Sequence, residues 1–360
     1  MIYFAVDEPR VHLLEQYLAG WGRTLRDHMR QITYPALFRS RALPRGAWIF
    51  TSLDALSDAE LRMVHHMQCA ARDASLPVFN LAREALHRYE LLQMLHARGV
   101  NDFRAHRADG PLESVRFPVF VRVADEHDGS LTELLHDPAQ LRMAMAYLRV
   151  RGLERRQLLV VEFCETAGPD SLYRKYSIFR IGEAYIPRYL HIGQHWMTKE
   201  GTREAEENLI HEERAYLREN PHAAWAREIF EMAHIDYGRL DYGVRDGRPQ
   251  AWEINLTPVL GGNPNRAAQT PQEQRIRILT NPAKEYAHAA IRTAFLRIDP
   301  VSIPGDDIRV EFPPSLEEEA RRERRTMHAR ERRQKRIARI ASAPGIRAIG
   351  PLLRRALRGR

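Results

Sequence analysis

Residues 236 to 258 read DYGRLDYGVRDGRPQAWEINLTP, and no other stretch limits the fold of this chain so tightly. Strand-like runs flank Asp246-Gly247, a strong short-range hairpin signal. Glu253 and Asn255 are two apart and share one face of a strand, with Trp252 and Ile254 on the other. The loop decides where Asp241 goes. A two-residue turn sends it to the wrong side. A three-residue loop over Arg245-Asp246-Gly247, with Gly247 as a left-handed bulge, brings it onto the face of Glu253. Together, Asp241, Glu253 and Asn255 are hard oxygen donors of the kind that magnesium on nucleotide phosphates requires. Apart, they are the polar face of an edge hairpin.

The rest of the chain is long enough to build cores around such a hairpin. It has 360 residues, 44% hydrophobic and 28% charged, the balance of a globular protein. No run approaches the roughly 18 to 20 apolar residues of a membrane helix. Cys69 and Cys164 alone exclude a disulfide framework or a cysteine zinc cluster and suit a reducing cytoplasm. The opening MIYFAVDEPR lacks the basic and apolar regions of a secretory signal, so a cytoplasmic location is expected. The net charge of +8 is uneven. Between Arg321 and Arg360, fifteen Lys or Arg face Glu323 and Glu331, a local +13, which leaves the first 320 residues at −5. The high isoelectric point therefore belongs to the tail.

Alternating signals at the start imply a small parallel α/β lobe over about residues 1 to 105. IYFAV, GAWIFTS and LPVFNL read as strands. SDAELRMVHHMQCAARDA reads as a helix capped by Ser57 with Glu60 three residues on, and REALHRYELLQMLHARGV as another. An α+β region is expected over 106 to 300. It holds a strand at 117–123, a helix near 137–150 and a strand in QLLVVEFCET. A hairpin about Gly182, a helical stretch over 200–234, the 236–258 hairpin and a packing helix at 279–298 follow. Residues 301 to 316 read as a proline-rich linker and 317 to 360 as a basic tail.

Taken in order, these pieces resemble the ATP-grasp family, whose members include D-alanine–D-alanine ligases, glutathione synthetases and ribosomal-protein glutamate ligases. The resemblance spans most of residues 75 to 265 and is sharpest in RLDYGV…AWEINLTP. It implies Asp241, Glu253 and Asn255 as ligands of Mg2+, with Mn2+ as a substitute, on the phosphates of ATP. VVEFCET resembles the strand and hinge that hold adenine, which places Glu162, Phe163 and Cys164 at the base and Glu165 toward the ribose. FPVFVRVADEHDGS resembles the strand with a phosphate-binding lysine followed by a mobile loop. Here the basic residue is Arg122, a planar fork in place of a point charge, and the loop has Gly129 alone. Arg88 is the nearest match for a basic residue that reaches phosphate from the preceding helix, with Arg83 the alternative. Lys175, Arg188 and Lys199 match cations that hold phosphate or a substrate carboxylate. Arg239, two residues before Asp241, is placed to steady a phosphoryl group.

The implied reaction is phosphoryl transfer from ATP to a carboxylate, then displacement of phosphate from the acylphosphate by an amine. Such chemistry needs positioning and charge neutralisation more than a protein nucleophile. The alternatives are a small-molecule kinase on the same fold and a degenerate nucleotide-binding scaffold recruited through its tail. The substrates are expected to be a small-molecule or peptide carboxylate and an amine, and the sequence is compatible with an oligomer. A zinc site at His191 and His195 is disfavoured by Gly193 beside them. The tail reads as a charged helix followed by PGIRAIGPLLRRALRGR. Anionic membrane, nucleic acid and an acidic protein all suit it.

Overall fold

The computed structural model describes residues 1–127, 129–198, 207–262 and 270–341. Lys199 and the apolar residues among the last arginines therefore lie outside the described residues. The chain divides into two compact units, Met1–Leu86 with Thr166–Glu317, and His87–Glu165 with Glu318–Arg360.

The first unit begins β1 (Ile2–Val6), α1 (Val11–Ala19), β2 (Met29–Thr33), α2 (Tyr34–Ser40), β3 (Ala42–Leu43), β4 (Ala47–Phe50), α3 (Asp58–Asp73) and β5 (Val78–Phe79). β1, β2, β4 and β5 form a parallel sheet in the order β2-β1-β4-β5, as alternating elements require. α3 starts where its capping box predicts. The Ser57 hydroxyl accepts from the Glu60 N–H, and the Glu60 carboxylate accepts from the Ser57 N–H at 3.1 Å. The helix expected from Arg83 begins only at Arg88, and it belongs to the second unit.

That second unit contains α4 (Arg88–Ala97), β6 (Ala105–Arg107), β7 (Val119–Val123), α5 (Pro138–Val150) and β8 (Leu158–Glu162). The strands pair antiparallel in the order β6-β8-β7. Asp137 caps α5 through the N–H groups of Ala139 and Gln140, with Pro138 at the first turn. Val119, Val121, Leu158 and Val160 meet Leu141, Met145 and Leu148 in its core.

The chain then returns to the first unit with β9 (Tyr173–Ile181), β10 (Ala184–Gly193), α6 (Glu207–Glu219), α7 (Ala223–Met232), β11 (Tyr237–Arg245), β12 (Arg248–Asn255), α8 (Pro271–Ile298) and β13 (Ile308–Arg309). These strands build an antiparallel sheet ordered β10-β9-β11-β12. One core joins Ile2, Phe4 and Ile49 of the parallel sheet to Phe179, Ile186 and Tyr237 of the antiparallel sheet and to Ile291 and Phe295 of α8. The boundary expected at residue 105 therefore falls at Leu86 and His87, and the N-terminal lobe shares its core with the later strands. A continuous hydrophobic cluster between segments far apart in sequence leaves no local signal in either one.

The proline-rich connection is anchored just before its start and at its middle. Asp299 binds the amino terminus of Met1 and the His28 ring (2.7 Å), and β13 pairs with β3. α9 (Pro314–Ala341) follows. Neither cysteine forms a disulfide. Among the described residues no helix is long and apolar enough to cross a membrane.

Candidate functional site

The β11–β12 turn is the two-residue one. Arg245 pairs with Arg248, and Asp246 and Gly247 between them have φ of 49° and 75°, the left-handed pair that such a hairpin turn demands. That turn alone would seat Asp241 opposite Trp252. The register shifts between Tyr242, paired with Ala251, and Asp241, paired with Glu253, so Trp252 is the extra residue of a bulge. The parity correction expected in the loop is thus made inside the strand. Gly243 accommodates it, since a Cβ there would stand 2.6 Å from the Trp252 ring.

A second bulge lies on β10. Pro187 pairs with Ile178 and Tyr189 with Ser177, which leaves Arg188 unpaired in the ladder. Directly opposed residues share a face, so the two bulges align one row across all four strands, Tyr189–Ser177–Asp241–Glu253. His191 opposes Lys175 one step along, and Phe179, Arg239 and Asn255 form the next row. The reverse face is aromatic. Tyr176 and Tyr242 stack at 5.2 Å, and the His222 ring meets the Tyr242 hydroxyl at 2.8 Å.

Asp241 is the hub of the polar face, 1% exposed. Arg239 donates Nε to Oδ1 at 2.8 Å and Nη2 to Oδ2 at 2.9 Å, a bidentate pair. Lys175 Nζ stands 2.8 Å from Oδ2, and the Tyr189 hydroxyl donates at 3.3 Å to Oδ1. Burial, the largest influence on Asp241, works to raise its pKa. Arg239 and Lys175 override it and hold the carboxyl below its ordinary value, while the charge of Glu253 opposes them. Lys175 is the mirror case, pulled down by burial and carried above its ordinary value by Asp241. Asn255 accepts the Thr257 N–H at 2.8 Å, which orients its side chain at the end of β12.

Arg188 differs from these cations. Its Nε is buried without a hydrogen-bond partner, and burial brings its pKa down to about 10. Burial likewise pushes His191, whose ring stacks on Tyr189 at 4.0 Å, down to about 3, so it is neutral at physiological pH. Tyr189 was missed in the sequence, and His191 entered there only as a disfavoured zinc ligand. The signal was the alternation Tyr189-x-His191 beside Arg188, whose meaning depends on the bulge.

As a metal site the donor set fits in kind. Two opposed carboxylates and an amide are hard oxygen ligands of the sort Mg2+ takes. Among the described residues no group of three His, Cys, Asp or Glu is placed to hold a metal, and this set has only two carboxylates. Both oxygens of Asp241 also carry cationic donors, so a metal must share or displace Lys175 or Arg239.

The other predicted residues lie in the second unit. Arg88 is buried at the start of α4, where its guanidinium holds the turn after β7 through the carbonyls of Ala124 and Glu126 (2.9 Å) and the His127 ring (3.1 Å). Arg122, on β7, also donates to the Glu126 carbonyl at 3.1 Å. Glu162 is occupied as a structural acid. Arg116 (2.7 Å), Arg104 (3.3 Å) and His106 (3.2 Å) converge on its carboxylate, with the N–H groups of Arg104 and Arg116. Burial works to raise its pKa, and the hydrogen bonds from Arg116 and His106 bring it down to about 2. The backbone N–H of Phe163 donates to the Pro118 carbonyl at 2.9 Å. Cys164 is buried, and Glu165 is exposed at the end of the segment.

No protein-family model matches the chain, and no curated protein matches it. Among solved structures it is similar to D-alanine–D-alanine ligase from Bacillus anthracis complexed with ATP, at 12% identity over 81% of this chain and 97% of that one, TM-score 0.44. It is also similar to L-amino acid ligase from Bacillus licheniformis, at 11% identity over 86% and 78%, TM-score 0.45. A third similar structure is an ATP-grasp ligase complexed with a phosphomimetic precursor variant, Mg and ADP, at 12% identity over 79% and 97%, TM-score 0.43.

Proposed function

We propose that this protein is an ATP-grasp ligase that uses Mg2+ and ATP to join a carboxylate to an amine. The observation that carries the reading is the buried row in which Asp241 opposes Glu253, with Asn255 beside them and Arg239, Lys175 and Arg188 around. Opposed acids ringed by cations suit a polyphosphate and its metal better than a hydrophobic ligand. Asp241, Glu253 and Asn255 would hold the ion, which when bound would supply neutralisation of phosphate charge, with Mn2+ as a working substitute. Arg239 and Lys175 then turn from Asp241 toward phosphate oxygens. In the reaction a substrate carboxylate oxygen attacks the γ-phosphorus and ADP leaves. The amine attacks the acyl carbon, inorganic phosphate leaves, and the amine proton passes to solvent. Arg188 supplies a buried cation for the anionic substrate.

Calorimetric titration of ATP, with and without Mg2+, into the protein and its Glu253→Gln variant tests the site. Binding that needs Mg2+ and is lost in the variant supports it. The folded protein failing to bind ATP removes the reading. Phosphate release across panels of carboxylates and amines tests the ligase step, and a phosphorylated product without free phosphate would make the protein a kinase.

A second reading has its own observation. Both oxygens of Asp241 are already taken by Arg239 and Lys175, the arrangement of a structural ion-pair network. A nucleotide-binding scaffold without turnover follows from it. Mg2+-independent ATP binding that is unchanged in Glu253→Gln would favour the scaffold.

A further inference from the structure

The second unit carries a basic surface that the proposed reaction does not use. A hollow of about 690 Å³ lies between the end of α5 and α9, lined by Arg142, Arg149, Arg155, Arg330 and Arg333 over an apolar floor that includes Leu153. Glu154 is the acid among the lining residues, and Arg156 pairs with it at 2.7 Å. The rim is not purely cationic. On α5, Arg142, Met143, Ala146, Arg149 and Val150 fall within an arc of roughly 120° at 100° per residue. Met143 is 38% and Val150 71% exposed. One helix face thus interleaves arginines with outward-facing apolar side chains.

We propose that this face is a docking surface for an anionic lipid bilayer. Converging arginines meet acidic headgroups through their planar, bidentate forks, and exposed apolar side chains enter the headgroup boundary. A nucleic acid backbone satisfies the arginines but makes no use of Val150 held out in water. A protein partner would need a dense acidic patch complementary to all five arginines, whereas an acidic leaflet presents such charge over its whole plane. The charge also continues along the chain, since fifteen Lys or Arg stand between Arg321 and Arg360.

The test is flotation of the full-length protein with vesicles of phosphatidylcholine alone and of phosphatidylcholine with phosphatidylglycerol. Binding is expected only to the second kind, and it weakens with salt as the charges are screened. Each arginine near an acidic surface contributes about fivefold in affinity, so Arg149→Glu with Arg333→Glu should weaken binding by at least about 20-fold. Val150→Ser leaves the charge unchanged and should weaken it by about three- to tenfold. All three positions are exposed, and unchanged circular dichroism checks the fold. No binding to acidic vesicles overturns the proposal. So does binding retained in the double arginine variant, which would assign it to another part of the chain. Capture of duplex RNA in preference to vesicles, lost in the arginine variant and indifferent to Val150→Ser, would also overturn it and make the surface a nucleic acid site.

Discussion

Asp241 stands directly opposite Glu253 although the turn joining their strands, Asp246-Gly247, would by itself pair Asp241 with Trp252. One extra residue in β12 makes the difference. A slip of one residue in a strand exchanges its two faces, so the acidic pair exists only while the Trp252 bulge does.

Glu253→Gln is the cleaner test of that pair. It removes one negative charge and leaves the bidentate Arg239–Asp241 contact in place. Mg2+-dependent ATP binding should fall by at least tenfold, with the unfolding midpoint little changed. Asp241→Asn should cost more, about 3 kcal/mol or above, because Arg239 and Lys175 would be left in a buried site without their counter-ion. Calorimetry and urea unfolding of both variants separate the two effects.

Gly243→Ala probes the bulge itself. The new Cβ would meet the Trp252 ring at 2.6 Å and Thr166 Cγ2 at 3.1 Å. We expect a stability loss of about 1–3 kcal/mol and weaker Mg2+-dependent ATP binding, without any change to a charged residue. Undiminished ATP binding in a destabilised Gly243→Ala protein would separate the bulge from the site.

Lys175 competes with any metal for Oδ2 of Asp241, being 2.8 Å away. Lys175→Met should therefore tighten Mn2+ binding to the nucleotide-free protein and weaken ATP binding, opposite signs from one substitution. Water-proton relaxation reads the first and calorimetry the second. A loss of both would mean that Lys175 holds Asp241 in position.

Glu162 sets an acid limit for the second unit. Its folded pKa is about 2 against an ordinary 4.5, so the stabilisation is complete above about 4.5 and is lost as pH falls toward 2. Glu162→Gln should cost about 2–3 kcal/mol at neutral pH, leaving Arg116 and Arg104 unpaired, and should flatten the acid limb. Denaturant unfolding against pH measures both.

His191 and His288 act earlier in the titration. Burial holds them neutral, with pKa values of about 3 and about 2 against an ordinary 6.5. Below 6.5 the unfolded chain takes up protons that the folded one refuses, so stability falls with pH at up to about 1.4 kcal/mol per pH unit for each ring. His288→Phe keeps a ring against Trp21, where the imidazole now stacks at 4.4 Å, and should halve the slope. An unchanged slope would show that His288 titrates normally.

Much of this molecule was legible in its residues. The capping box at Ser57, the turn at Gly182 and the Asp246-Gly247 hairpin are local devices, each written within a few residues. The all-apolar first strand and the alternation after it foretold a parallel sheet. α1, β2 and α2 carried no signal strong enough to be seen, and β5 shrank to Val78–Phe79, because packing decided where those segments end.

The sequence by itself determined which acids and cations are available and that Glu253 and Asn255 share a face, since both follow from residue identity and a period of two. Only the tertiary structure decided that Asp241 joins them, that Tyr189 aligns with the row, and that Glu162 is claimed by Arg104, His106 and Arg116. The physical reason is register. A bulge costs one unpaired residue and reverses a face, and its position depends on what lies across the sheet, here Gly243 making room for the ring of Trp252.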